Sequence, residues 1–179
     1  MNVKRLHKDQ TGFSLLELLI VIALTGIITA AITMTVFQVF NMNTRTSNRM
    51  TAVSQVQNAG KIVSEDILET QTDKINATPV GNRLLVVGWA APAPDGTTYN
   101  VTYTLQNMPS GQMTRLQRQY SVNSTLNSTT IVAEYINPDP TQTSCAWNAT
   151  TKALIFKVTA TVGNESETRV YEVQPRPGS

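Results

Sequence analysis

Phe13-Ser14-Leu15-Leu16-Glu17-Leu18-Leu19-Ile20-Val21-Ile22-Ala23-Leu24 opens a stretch in which Glu17 is the only charged side chain as far as Thr44. Sixteen of residues 13–40 are Leu, Ile, Val or Phe. A bilayer core about 30 Å thick is crossed by about 20 apolar residues in a helix, so the stretch is long enough to span one. Lys4, Arg5 and Lys8 stand immediately before it, and such clusters stay on the cytoplasmic side. This orientation puts the rest of the chain outside the cytoplasm.

Glu17 is the exception that carries information. A carboxylate in the middle of a span costs about 2.5–3.5 kcal/mol on insertion scales, and each large aliphatic residue returns about 0.3–0.6 kcal/mol. The run therefore inserts in spite of the acid, yet an intramembrane carboxylate calls for a partner. The apolar run contains none. If the leader is cut after Gly12, Phe13 acquires a positive α-amino group four residues before Glu17. Opposite charges at about 4 Å attract by about 4 kcal/mol at an effective dielectric near 20, before desolvation is subtracted. The pairing works within one chain or between neighbouring chains.

Beyond the apolar run the pattern becomes amphipathic. Met50, Val53, Val56, Ala59, Gly60, Val63 and Ile67 recur every three or four residues, the stripe of a helix packed on one side. No proline precedes Pro79, so the first 75 residues read as one long helix. After Asn76-Ala77-Thr78-Pro79 the period drops to two. Tyr99, Val101, Tyr103 and Leu105 alternate with threonine and asparagine, and Leu154, Phe156, Val158, Ala160 and Val162 alternate similarly. With further candidates at 83–89, 112–121, 129–136 and 167–174, about six strands are expected, forming an antiparallel sheet with one face under the helix stripe. Loops fall at 91–96, 109–111 and 137–140, where Pro, Gly, Asn and Asp cluster. The fold class is α+β. The predicted divisions are a leader at 1–12, a helix at 13–75 with 13–40 in the membrane, and an extracytoplasmic β domain at 76–179.

Composition removes most other functions. Residues 1–12 hold three of the 14 Lys and Arg and one of the 12 Asp and Glu, which leaves 11 of each sign beyond them. This balance gives no basic footprint for nucleic acid. The one histidine, His7, lies in the leader. A mature chain without it has no Ser/His/Asp or Cys/His set, no His/Cys metal cluster and no phosphate loop, so neither an enzyme nor a cofactor site is expected. Cys145 is the only cysteine and cannot close a disulfide within the chain. It reads as a partly buried loop residue, with an intermolecular bridge or a reactive thiol as the other readings. Glu65, Asp66, Glu69 and Asp73 read as a solvated helix side, with a calcium site or ion pairs to Arg45, Arg49 or Lys61 of another subunit as alternatives. Trp89, Trp147, Tyr120 and Tyr135 read as core or hairpin aromatics rather than a sugar- or surface-binding platform. The 137–151 loop, with Cys145 and Trp147, is the expected contact surface.

Gly12-Phe13-Ser14-Leu15-Leu16-Glu17-Leu18-Leu19-Ile20-Val21-Ile22 resembles the cleavage and methylation motif of type IV prepilins and type II secretion pseudopilins. The resemblance is strong over about residues 8–37 and implies a pilin-like fold, a long N-terminal helix packed on an antiparallel sheet. It implies that a prepilin peptidase cuts between Gly12 and Phe13 and N-methylates Phe13. It also implies that Glu17 pairs with the Phe13 amine of an adjacent subunit during assembly, on an inner-membrane platform and among other pilins or pseudopilins. Gly26 matches a glycine common in these helices, and Met34 stands where major pilins carry proline, which tilts the reading to a minor subunit. Tyr103-Thr104-Leu105, Leu116-Gln117-Arg118 and Arg176 resemble, weakly, the strand order of larger minor pilins and the J-type minor pseudopilin. The alternative is a filament-borne adhesin or DNA-binding module, its specificity in loops 90–97 and 137–151. A cleaved secretory signal is disfavoured because Glu17 stands at the start of a long apolar run and the nearest small-x-small triplet, Thr29-Ala30-Ala31, lies within it; a plain signal anchor without filament assembly is the other rival.

Overall fold

The computed structural model describes residues 14–92, 94–109 and 111–176. Gly12 and Phe13 lie outside them. One α-helix, α1, covers Leu15–Glu69, followed by a 3-10 turn at Thr72–Lys74. Seven strands follow: β1 (Arg83–Ala90), β2 (Thr98–Asn107), β3 (Thr114–Val122), β4 (Thr125–Ile136), β5 (Ser144–Asn148), β6 (Ala153–Val162) and β7 (Glu165–Val173). The chain divides into two compact units after Thr44.

In the first unit every described residue is exposed. An 18-residue window of the helix has a mean hydropathy of 2.5, apolar enough to cross a membrane, with none of it buried. The second unit is a helix-on-sheet layer. All strand pairs are antiparallel, in the order β1-β2-β3-β4-β6-β5 with β7 on β6. A single pair, Ile136 with Ala160, joins β4 to β6, so the sheet is two subsheets hinged at one point. Helix residues 52–67 cover that seam. Ala52, Val56, Ala59, Val63 and Ile67 are buried with Val87, Val101, Leu116, Phe156 and Val158. Asn58 donates from its amide to the Val132 carbonyl, and the Gln55 amide oxygen accepts from Glu134 N–H at 2.7 Å, which satisfies groups on the unpaired edge of β4. On the other subsheet the Tyr171 hydroxyl donates to the Val56 carbonyl at 3.1 Å.

Gly60 is where the helix touches closest. The Tyr171 ring occupies the space that a Cβ on Gly60 would need. The helix stripe begins at Ala52 rather than Met50, which is 68% exposed. The helix also ends at Glu69, close to the end of its stripe at Ile67 and short of residue 75, the limit set by the absence of proline before Pro79. There the edge of β1 captures the chain: Gln71 N–H donates to the Gly88 carbonyl at 3.2 Å, and Asn76 exchanges both bonds with Val86 at 2.8 and 2.9 Å. An edge strand left bare invites association, and this segment covers it.

Six strands match the alternation in the sequence, with β4 starting earlier than expected. Asn123 (φ 49°) and Ser124 (φ 67°) turn β3 into β4 in two residues, as a tight primed turn requires. Gly163 (φ 59°) does the same for β6 and β7. The seventh strand, β5, lies inside the segment read as a loop at 137–151. Cys145 is thus a buried strand residue paired with Phe156, and the loop itself is 137–143.

Tyr135 is different from these turn residues. It stands within β4 at φ 59°, where Glu134 and Tyr135 together face Arg115 in a β-bulge. A non-glycine residue held there stores about 1–3 kcal/mol of backbone strain.

Candidate functional site

The assembly segment predicted from sequence is Gly12, Phe13 and Glu17, and only Glu17 lies among the described residues. It sits in the first turn of α1. Ser14 Oγ accepts the Glu17 backbone N–H at 3.2 Å, and Ser14 O accepts Leu18 N–H at 3.2 Å. Ser14 is therefore the N-cap, and Ser14-Leu15-Leu16-Glu17 has the residue pattern of a capping box. That pattern was legible in the sequence and adds a second reason for an acid at 17: a negative side chain at a helix N-terminus complements the partial positive charge there. Among the described residues, no basic side chain pairs with the Glu17 carboxylate.

The rest of the segment is adapted to an apolar medium. The hydroxyls of Thr25, Thr29, Thr33 and Thr35 donate to the carbonyls of Val21, Thr25, Thr29 and Ala31 at 2.7–2.9 Å. Each threonine donor is then satisfied within its own helix, which lowers the cost of placing it among lipid or apolar side chains. A Cβ on Gly26 would meet nothing within 4 Å.

In the second unit the acidic helix side divides. Glu65, Glu69 and Asp73 are exposed, while Asp66 is 7% exposed and turned into the core. The Arg118 guanidinium grips it from β3 with two bonds, Nε to Oδ2 at 2.7 Å and Nη2 to Oδ1 at 2.8 Å. The Tyr103 hydroxyl donates to the same carboxylate. Burial, and then the Asp66 charge, push the Tyr103 phenol far above its ordinary range, and the bond to Asp66 raises Arg118 further. Sequence reasoning noticed Tyr103 and Arg118 but not their partner, because Asp66 is 52 residues from Arg118 and surrounded by other acids. Arg176 also has a local task. Its Nε donates to the Leu68 carbonyl at 3.1 Å and its N–H to Thr70 O at 3.1 Å, which satisfies carbonyls at the helix end.

Several of the other candidates are absorbed by the fold, Tyr135 excepted. Arg45 pairs with Glu165 of its own chain at 2.9 Å, and Lys61 with Glu65 at 4.0 Å. Trp89, Tyr99 and Tyr120 form a cross-strand ladder, with ring centroids 5.6 and 6.3 Å apart and near-parallel planes. Arg118 caps its Tyr120 end at 5.4 Å. Ring faces stacked on one another are not free to take a sugar. Burial pushes the Cys145 thiol up to about 12, so it is protonated and unreactive near neutrality. Asp139 accepts two bonds from Thr141, which lower its pKa. Among the described residues no three His, Cys, Asp or Glu gather as a metal site.

Residues 7–33 match the family model described as the prokaryotic N-terminal methylation motif. No curated protein and no solved structure matches the chain.

Proposed function

We propose, for a chain that is type IV prepilin- or pseudopilin-like at its N-terminus, that it serves as a minor structural subunit of a type IV pilus or type II secretion pseudopilus. The observation that carries this reading is the methylation motif together with a helix whose first thirty residues bury nothing within the chain. A prepilin peptidase removes residues 1–12 between Gly12 and Phe13 and methylates the new Phe13 amine. Residues 13–40 hold the protein in the inner membrane, with the leader side cytoplasmic and the β domain outside. During assembly the Glu17 carboxylate meets the Phe13 amine of a neighbouring subunit, and the exposed apolar surface exchanges lipid for other helices. No catalytic role is assigned to any residue.

Co-expression with a prepilin peptidase, followed by mass spectrometry, is expected to show an N-methyl-Phe13 terminus. An intact Met1 terminus under those conditions would overturn the reading. Glu17→Val is expected to leave membrane insertion unchanged and to reduce incorporation into filaments, since the charge partner of the Phe13 amine is lost. Normal incorporation of that variant would remove the role given to Glu17.

A further inference from the structure

The tyrosines single out one surface. Of the five in the chain, Tyr99 and Tyr120 stack in the aromatic ladder, and Tyr103 and Tyr171 bond to the helix. Tyr135 alone has neither a ring partner nor a hydrogen-bond partner among the described residues, and it is not packed against the hydrophobic core. It is also the tyrosine held at positive φ in a strand. Strained backbone of this kind is retained where the surroundings or a task demand it. Here the side chain gains no core packing in return.

Tyr135 lines a cleft of about 260 Å³. Met108, Gly111, Gln112 and Met113 of the β2–β3 turn form one wall, and Thr161 and Gly163 at the end of β6 form another. Among the described residues, no Asp, Glu, Lys, Arg or His lines it. An ionic ligand would therefore lose water without gaining a counter-charge. The lining instead offers an aromatic ring, an exposed primary amide at Gln112 that both donates and accepts, and the Thr161 hydroxyl, paired with Ser166 at 2.9 Å and retaining acceptor capacity. Apolar surface with a few polar groups of fixed direction is the make-up of a small-molecule site.

We propose that this cleft binds a neutral saccharide residue. The apolar C–H face of the sugar lies on the Tyr135 ring, and its hydroxyls meet the Gln112 amide and Thr161. Among the described residues, none of the loops 90–97 and 137–151 lines it, and the inference does not depend on the filament reading.

The test uses the full chain in a detergent without a sugar headgroup. Saturation-transfer NMR is run with glucose, galactose, mannose, N-acetylglucosamine and N-acetylgalactosamine, with glucuronic acid and sialic acid as charged controls. At least one neutral sugar is expected to show transfer and the acids none. Tyr135→Gly relieves the positive φ while removing the ring, so affinity is expected to fall by about tenfold or more while Tm stays level or rises. Gln112→Ala, on an exposed turn, is expected to weaken binding severalfold and serves if Tyr135→Gly fails to fold. The proposal is overturned if no neutral sugar binds, if the acids bind equally well, or if both variants bind as the parent does. A Tm loss above about 5 °C in a folded Tyr135→Gly protein also overturns it, because the ring would then be holding the fold. Binding of a proline-rich peptide in place of any sugar refutes the ligand class.

Discussion

One helix runs through two regions that treat the same kinds of side chain in opposite ways. Up to Thr44, Leu15, Ile22, Ile27 and Phe37 are 64–82% exposed, and large aliphatic residues occur on every side. From Ala52 to Ile67, Val56, Ala59, Val63 and Ile67 are at most 1% exposed and form one stripe. A helix apolar all round is built for lipid or for packing among other helices, whereas an apolar stripe is built for a single neighbour. The first region must find its burial outside the chain, and the second finds it in the β-sheet. The difference teaches that the surface left for lipid or other helices and the surface that holds the fold together are carried by different halves of one element.

The comparison breaks most sharply at Arg118. Arg118→Ala leaves Asp66 buried without its counter-charge and should cost about 3 kcal/mol, the low end for such a loss because the pair is partly exposed. Thermal unfolding of the β domain in detergent would then fall by about 10 °C, with membrane insertion unchanged. Replacing the pair together, by Asp66→Leu with Arg118→Met, should recover much of that loss. A single variant as stable as the parent would show that the ion pair does not fasten helix to sheet.

The two helix glycines sharpen the contrast. Gly60→Ala meets the Tyr171 ring, whose hydroxyl is tied to Val56, and should destabilise by about 2 kcal/mol despite alanine's gain in helix propensity. Gly26→Ala meets nothing and should add about 1 kcal/mol of local helix stability without moving the unfolding of the β domain. Circular dichroism melts of both variants check this, and equal effects at the two sites would abolish the distinction.

The smallest effect is expected with base. The folded Cys145 thiol holds its proton up to about 12, against 9.0 for a free thiol. Above pH 9 the unfolded chain loses a proton that the folded chain keeps, so the native state binds more protons and stability falls as pH rises. The contribution is fully present below pH 9.0 and lost towards pH 12. By pH 9.5 the loss should be about 0.8 kcal/mol. Cys145→Ala should flatten that part of the profile, and the parent should resist thiol-labelling reagents at pH 8 until it unfolds.

Local physics made much of this molecule readable in its sequence. Hydropathy along the apolar run, a stripe of period near 3.6 and strands of period two depend only on neighbouring residues; the long helix, the stripe from Ala52 onwards and six strands are present, with β4 starting earlier than its alternation indicates. The cap at Ser14 is equally local. Strand β5 was not readable, because Ser144–Asn148 is five residues long and paired only along β6, too short for alternation to show. Where the helix stops, why Asp66 is buried and why Tyr135 is strained were decided by the tertiary structure alone. Each depends on a group far along the chain: the edge of β1, the guanidinium of Arg118, and the register that sets two residues of β4 against one of β3. Periodicity records which face a residue prefers, while the partner waiting on that face exists only once distant segments have met.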